Sequence, residues 1–251
     1  MIKAVIFDLD GTLYIGKKAI PGAEKKVKEL RSKGVKTLFL TNAATRSRKG
    51  VAEKLQKMGI GVSEDEVYCT SYFVARYISE NHPEERVMVI GESGLFEELK
   101  KAGVETVKKN CDIVTIGLDR EFSYQKLADA LRELNEGAIL VSSNHDYTFP
   151  VENGMMPGTG SLVAAVEAAS GKRAYVVGKP NTYGFDLIKK ENRLRKNEVI
   201  IVGDRLDTDI TFAKKCGIKS ALVLTGVTKK EDIKKIKPDY VFDSIVEFSL
   251  P

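Results

Sequence analysis

What this chain lacks narrows its function before any motif is considered. No uninterrupted apolar run approaches the roughly 20 residues of a membrane-spanning helix, so no membrane partner is expected. Met1-Ile2-Lys3 leads straight into an apolar stretch and leaves no room for a signal or transit peptide, so the expected location is the cytoplasm. Cysteine is scarce. Cys69, Cys111 and Cys216 are widely spaced and form no Cys-x-x-Cys, which argues against a disulfide framework or a zinc site and for buried thiols. Glutamine is represented only by Gln56 and Gln125 while Lys and Glu abound, a lean towards a thermophilic source. No basic stripe interleaves with aromatic residues, and 40 Lys/Arg against 35 Asp/Glu leave a net charge of only +5. Nucleic acid is therefore not an expected partner; a Lys-rich solvated surface with some attraction for anionic substrates is. There is no repeat array and no low-complexity segment.

What is present reads as an ordinary globular protein. Hydrophobic residues at 43% and charged residues at 30% are typical of that class. The 251 residues suffice for one large or two modest domains with real cores. The stretch Ala4-Val5-Ile6-Phe7-Asp8-Leu9-Asp10-Gly11-Thr12 stands out. Four apolar residues run into two carboxylates, then Gly and Thr. The run reads as a parallel-sheet strand buried on both faces. Strand periodicity aims Asp8 and Asp10 to the same side. Two such carboxylates beside apolar neighbours are costly unless a cation sits with them. An EF-hand calcium loop does not fit, because its fifth and twelfth positions counted from Asp8 hold Thr12 and Ala19.

In order, the patterns predict a short excursion over 14–19, a helix over 23–33, a strand over 35–40 ending at Thr41-Asn42, and a helix over 47–58. Strand and helix then alternate again: helix 72–79, strand 86–90, helix 93–102, strand 112–118, helix 123–135, strand 138–142. Helix 158–170, with Leu162, Val163, Val166 and Ala169 inward, and strand 174–177 complete that part. The opening design returns in Val199-Ile200-Ile201-Val202-Gly203-Asp204, where an apolar strand again delivers an Asp into a Gly-containing turn. Helices over 182–191, 209–215 and 229–235 and strands over 220–224 and 240–242 close the chain. The expected fold is α/β: a doubly wound, Rossmann-like parallel-sheet core in two parts, 1–74 and 176–251, with an inserted α/β domain at 75–175.

Four strand ends carry chemistry-capable residues: Asp8 with Asp10, Thr41 with Asn42, Lys179, and Asp204 with Asp209. In an open parallel sheet, ligands bind outside the carboxyl ends of the strands at the topological switch point, so these groups should converge. Carboxylates, a hydroxyl and amide donor, and an ammonium suit phosphoryl transfer with Mg²⁺. Asp207, Arg46 and Arg205 read most simply as surface or helix-end residues.

Asp-Leu-Asp-Gly-Thr at 8–12, Thr-Asn at 41–42, Lys179 in Gly-Lys-Pro, and Gly-Asp-Arg-Leu-Asp-Thr-Asp at 203–209 resemble the four motifs of the haloacid dehalogenase superfamily. The insertion is similar to the large α/β cap of its NagD-like branch, with the nitrophenylphosphatases and phosphoglycolate/pyridoxal phosphatases. Gly117-Leu118-Asp119, Asn144 to Asp146 and Pro157-Gly158-Thr159-Gly160-Ser161-Leu162 are further matches. The resemblance implies an Mg²⁺-dependent phosphatase of small-molecule phosphate esters. Asp8 would be the nucleophile that forms an aspartyl-phosphate and Asp10 the general acid–base. Asp8, the Asp10 carbonyl and Asp204 would hold the metal. Thr41 and the Asn42 backbone would grip phosphate oxygens, and Lys179 would pair with phosphate and Asp8. Thr12 and Asp209 would support these groups from behind. Asp146, Tyr147 and Phe149 on the cap loop 144–150 are candidates for substrate choice, and a homodimer formed through the cap is also implied. The rival readings are a phosphotransferase or phosphomutase and a non-catalytic binding protein that keeps the fold.

Overall fold

A computed structural model describes residues 1–151 and 154–251. Its contacts divide the chain into two compact units. One comprises residues 1–41, 52–68 and 179–251, the other residues 42–51 and 69–178.

The first unit is built on a six-stranded sheet. Its order is Tyr240–Phe242, Lys219–Val223, Val199–Gly203, Ala4–Phe7, Lys36–Thr41, Val67–Cys69. Pairings across its first five strands are parallel. Ala4–Phe7 and Val199–Gly203 are buried along their whole length. A strand with no solvated face has no reason to alternate, which is why both read as continuous apolar runs. From Ala4–Phe7 the chain winds to one side through Lys36–Thr41, then returns on the other through Val199–Gly203. The direction of winding therefore reverses beside the first strand, and its carboxyl end opens onto the switch point. Helices Ala23–Ser32, Tyr183–Asn192 and Thr211–Cys216 belong to this unit. The excursion over 14–19 is a small hairpin, with Tyr14–Ile15 antiparallel to Lys18–Ala19.

The second unit has a five-stranded sheet of order Tyr175–Val176, Ile139–Ser142, Ile113–Ile116, Val87–Ile90, Thr106–Val107. All of its pairings are parallel. Its core gathers Met88, Ile90, Val114, Ile116, Leu134, Leu140, Val163 and Val166. Its helices are Thr70–Asn81, Ser93–Lys101, Tyr124–Asn135 and Thr159–Ser170. Helix Arg48–Lys57 starts in this unit and ends in the other. Among the described residues no helix is long and apolar enough to cross a membrane.

Four expectations need correction. The predicted helix over 229–235 shrinks to one turn, Lys230–Asp232. None of 229–235 is buried, and without an apolar face to pack, helix formation has little support. Ala169 is exposed rather than inward. At 100° per residue, the face set by Val163 and Val166 returns near residue 170, and Ala169 falls beside it. The loop over 144–150 runs into a strand, Thr148–Val151, paired antiparallel with Gly154–Pro157. Finally, the helix expected from 209 starts with a wider turn over Leu206–Ile210 before Thr211–Cys216. There the Asp209 carboxylate bends back to accept the Arg205 amide at 3.1 Å. Such widened turns recur at functional sites. All three cysteines are buried and free, and burial pushes the thiols of Cys69 and Cys111 up to about 11 and that of Cys216 up to about 12.

Candidate active site

Asp8 extends the first strand by one residue, its amide donating to the Val202 carbonyl at 2.8 Å. That register sets the Asp8 side chain beside the end of Val199–Gly203, where Asp204 emerges. Asp8, Asp204 and Asp209 are all buried, and each offers a carboxylate oxygen within 4.8 Å of the others'. Lys179 is 3% exposed and lies between two of them. Its ammonium donates to Asp8 Oδ1 at 2.6 Å and to Asp209 Oδ1 at 2.6 Å. Burial opposes the lysine's charge, but Asp209 and Asp8 outweigh it and hold its pKa above the ordinary lysine range.

One ammonium cannot neutralise three carboxylates. Burial pushes the Asp8 carboxyl well above its usual range; Asp209 and Asp204 push the same way and Lys179 pulls back. Burial, with Asp209 beside it, pushes Asp204 up to about 7. Asp204 Oδ2 accepts the Val227 amide at 2.7 Å, while Oδ1 is buried with no hydrogen-bond partner among the described residues. An orphaned oxygen on one of three clustered, buried carboxylates is the donor chemistry of a hard divalent cation. The residues present thus fit Mg²⁺.

Backbone approaches the cluster closely. A Cβ on Gly11 would meet Asp204 Oδ2 at 2.5 Å, and Gly11 also has φ +86°. A Cβ on Gly226 would meet the same oxygen at 2.0 Å. Only glycine admits both the conformation and the contact.

Asp10 sits apart from the acidic cluster. It is exposed at the strand's end, bridged to Tyr14. Desolvation by its surroundings nevertheless raises its pKa, with the Lys54 charge and the Gly16 amide pulling the other way. Lys54 Nζ stands 3.7 Å from the Tyr14 ring centroid. Thr12 is buried with its hydroxyl unpartnered among the described residues. Thr41 is the buried last residue of its strand. Asn42, in the second unit, donates through Nδ2 to Asp146 Oδ2 at 3.1 Å. Tyr147 is exposed, its hydroxyl 2.9 Å from His145 Nε2, and Phe149 is half-buried. Asp207 pairs with Arg205 at 2.8 Å and plays no part in the cluster. Burial opposes that aspartate's charge, but Arg205 prevails and holds its pKa low.

Sequence reasoning missed the turn over 225–228. The Thr225 hydroxyl donates to the Gly11 carbonyl at 2.6 Å, and the Thr228 amide donates to the Asp204 carbonyl at 3.2 Å. A signal existed: Thr225-Gly226 directly follows an apolar strand, as Asp10-Gly11 and Gly203-Asp204 do. Lys54 carried no such signal, since it lies in an ordinary helical pattern.

A family model described as haloacid dehalogenase-like hydrolase matches residues 5–105, and a second, described as HAD-hydrolase-like, matches residues 176–248. Human glycerol-3-phosphate phosphatase is 35% identical over 287 aligned positions, covering 98% of this chain and 89% of that protein. An acid sugar phosphatase of Staphylococcus aureus is 38% identical, covering 98% of this chain and 96% of its own. Among solved structures, a 4-nitrophenylphosphatase from Thermotoga maritima superimposes with TM-score 0.94 at 32% identity, over 98% of this chain and 95% of that one. A glycerol phosphate phosphatase from Mycobacterium tuberculosis in complex with magnesium gives TM-score 0.91 at 32% identity, over 97% of this chain and 76% of that one.

Proposed function

Since this chain belongs to the haloacid dehalogenase-like hydrolases and is a phosphoric monoester hydrolase that uses Mg²⁺, we propose that Asp8 is its nucleophile and Asp10 its general acid and base. The observation that carries this reading is the buried Lys179 bridging Asp8 and Asp209 at 2.6 Å each, beside the orphaned oxygen of Asp204. A purely structural role does not account for so repulsive a cluster.

A carboxylate oxygen of Asp8 attacks phosphorus. The bond to the leaving alkoxide breaks as Asp10 gives that oxygen its proton. The aspartyl-phosphate is then hydrolysed by a water whose proton returns to Asp10, releasing inorganic phosphate and regenerating Asp8. The raised pKa of Asp10 suits the first step, because a carboxyl that stays protonated nearer neutrality is the better acid there. Lys179 orients Asp8 and offsets charge on the phosphoryl oxygens, and Asp209 holds Lys179. Thr41 and the Asn42 backbone receive phosphate oxygens. Asp8, the Asp10 carbonyl and Asp204 would hold Mg²⁺, which supplies Lewis-acid neutralisation of the transferring group. Thr12 backs the strand end.

Residues 75–175 form a cap, and Asp146, Tyr147 and Phe149 select the substrate. The substrate is a small phosphomonoester of the kind named in the relatives, glycerol phosphate or a sugar phosphate. Cytoplasmic residence and a homodimer complete the reading. The test is hydrolysis of para-nitrophenyl phosphate with Mg²⁺ and with EDTA, by wild type and by Asp8→Asn. We expect metal-dependent release of phosphate by the wild type and none by the variant, with unchanged circular dichroism. Wild-type turnover by Asp8→Asn removes the nucleophile assignment. Transfer of phosphate to an added alcohol in place of release would make the chain a phosphotransferase.

A further inference from the structure

We infer that Asn144 is a positioning residue for the phosphate-gripping backbone at Asn42, an assignment that rests on the proposal that this backbone contacts the phosphoryl group. Asn144 is 5% exposed and its carboxamide is fully engaged. Nδ2 donates to the Asn42 carbonyl at 2.8 Å, to Thr159 Oγ1 at 3.2 Å and to Ser143 Oγ at 3.3 Å. Oδ1 accepts the Asp146 amide at 3.0 Å. One buried side chain thus ties together Asn42, the first residue of helix Thr159–Ser170, and the backbone of Asp146.

The surrounding contacts make this arrangement stiff. The Asn42 carbonyl also accepts the Thr70 hydroxyl at 2.6 Å, and its carboxamide donates to Asp146 at 3.1 Å. The Gly160 amide donates to the Asp146 carbonyl at 3.0 Å. A Cβ on Gly158 would meet that carbonyl oxygen at 2.2 Å, so the loop lies directly on the helix start. Asn42 follows Thr41 in the chain, so the peptide offered to the phosphate is the one whose carbonyl-side neighbour Asn144 holds. A hydrogen-bonded network centred on a buried, fully engaged side chain fixes one geometry, and removing that side chain releases the others. Losing a well-placed hydrogen bond to a charged group such as phosphate costs about 10- to 100-fold in affinity.

Phosphate binding gives the test. Inorganic phosphate is titrated calorimetrically into the Mg²⁺-loaded protein. Asn144→Asp keeps the shape and the acceptor for the Asp146 amide but loses the donor to Asn42. We expect it to weaken phosphate binding by about 10- to 100-fold, and Asn144→Ala to do so at least as strongly. Val163→Ala, a buried position in the same helix, is the control for destabilisation alone. It should lower the melting temperature and leave phosphate affinity unchanged. Wild-type affinity in Asn144→Asp, or an equal loss in Val163→Ala, overturns the assignment. An inactive Asp8→Asn together with unaltered phosphate binding by Asn144→Asp would reject the positioning role while leaving the nucleophile intact. An active Asp8→Asn would reject the nucleophile whatever Asn144 does.

Discussion

The two parallel sheets share a design and differ in what their strands deliver. In the six-stranded sheet, the carboxyl ends of the strands hand over Asp8, Thr41 and Asp204. In the five-stranded sheet they hand over Gly91, Gly117, Ser143 with Asn144, and Val177 with Gly178. Apart from Lys108, which follows the edge strand Thr106–Val107, the polar groups of that second set are neutral. Asn144 and Ser142 there are hydrogen-bonded. In the first, three buried carboxylates share one ammonium, and Asp204 keeps an orphaned oxygen. Fold alone therefore does not make a catalyst; charge placed against its own solvation does.

The largest break in that contrast comes from removing the ammonium. Lys179→Met leaves Asp8 and Asp209 buried and uncompensated. Turnover should fall on the order of 10³-fold, and stability should drop by about 3–5 kcal/mol. Denaturant unfolding and para-nitrophenyl phosphate kinetics check both; a variant as stable as wild type contradicts the charge accounting.

Asp204→Asn should act in opposite directions on activity and stability. The folded pKa of Asp204 is pushed up to about 7, so the folded state binds more protons than the unfolded chain between about pH 4 and 7. Its carboxylate thus costs stability progressively as pH rises through that window, and the full cost persists above it. In EDTA at pH 8 the Asn variant should be more stable than wild type by a few kcal/mol, with the gap closing towards pH 4. It should also be nearly inactive with Mg²⁺. A gap independent of pH would show that the carboxylate is not the source of strain.

A smaller effect sharpens the comparison from the other sheet. Thr115 also carries a buried hydroxyl without a partner among the described residues, in strand Ile113–Ile116. Thr115→Val removes an unsatisfied group and puts a methyl in its place. It should raise stability by about 1 kcal/mol with kcat unchanged. On the proposed reading one orphaned oxygen serves the chemistry and the other does not. A loss of activity in Thr115→Val would erase that distinction.

Much of the fold was readable because doubly buried strands leave uninterrupted apolar runs. The apolar runs at 4–7 and 199–202 each lead into a Gly-containing turn, at Gly11 and at Gly203, which marks both as buried strands. Amphipathic helices were legible to within a few residues, since burial enforces their period. The failures were of two kinds. Lys229 to Lys235 carried a helical composition with nothing to pack against. The pairing of Thr148–Val151 with Gly154–Pro157 depends on two short exposed strands finding each other, which no periodicity records. In the site, Asp8, Asp10, Thr41, Lys179 and Asp204 stood out as polar residues ending apolar runs. Lys54 did not, because it lies in an ordinary helical pattern and meets Tyr14 only in the folded chain; Thr225 follows an apolar run as they do, and its bond to the Gly11 carbonyl is what ties it to the site.

From the amino acids by themselves came the alternation of strand and helix and the residues that end each strand, because both follow from local burial and backbone preference. Tertiary structure alone decided that the Lys179 ammonium spans Asp8 and Asp209, that Asp204 keeps one oxygen bare, and that Asn144 holds Asn42. These are contacts across 171, 30 and 102 positions of chain. Distances of that kind are set by the order of strands within each sheet and the packing within each unit, which no local stretch of sequence records.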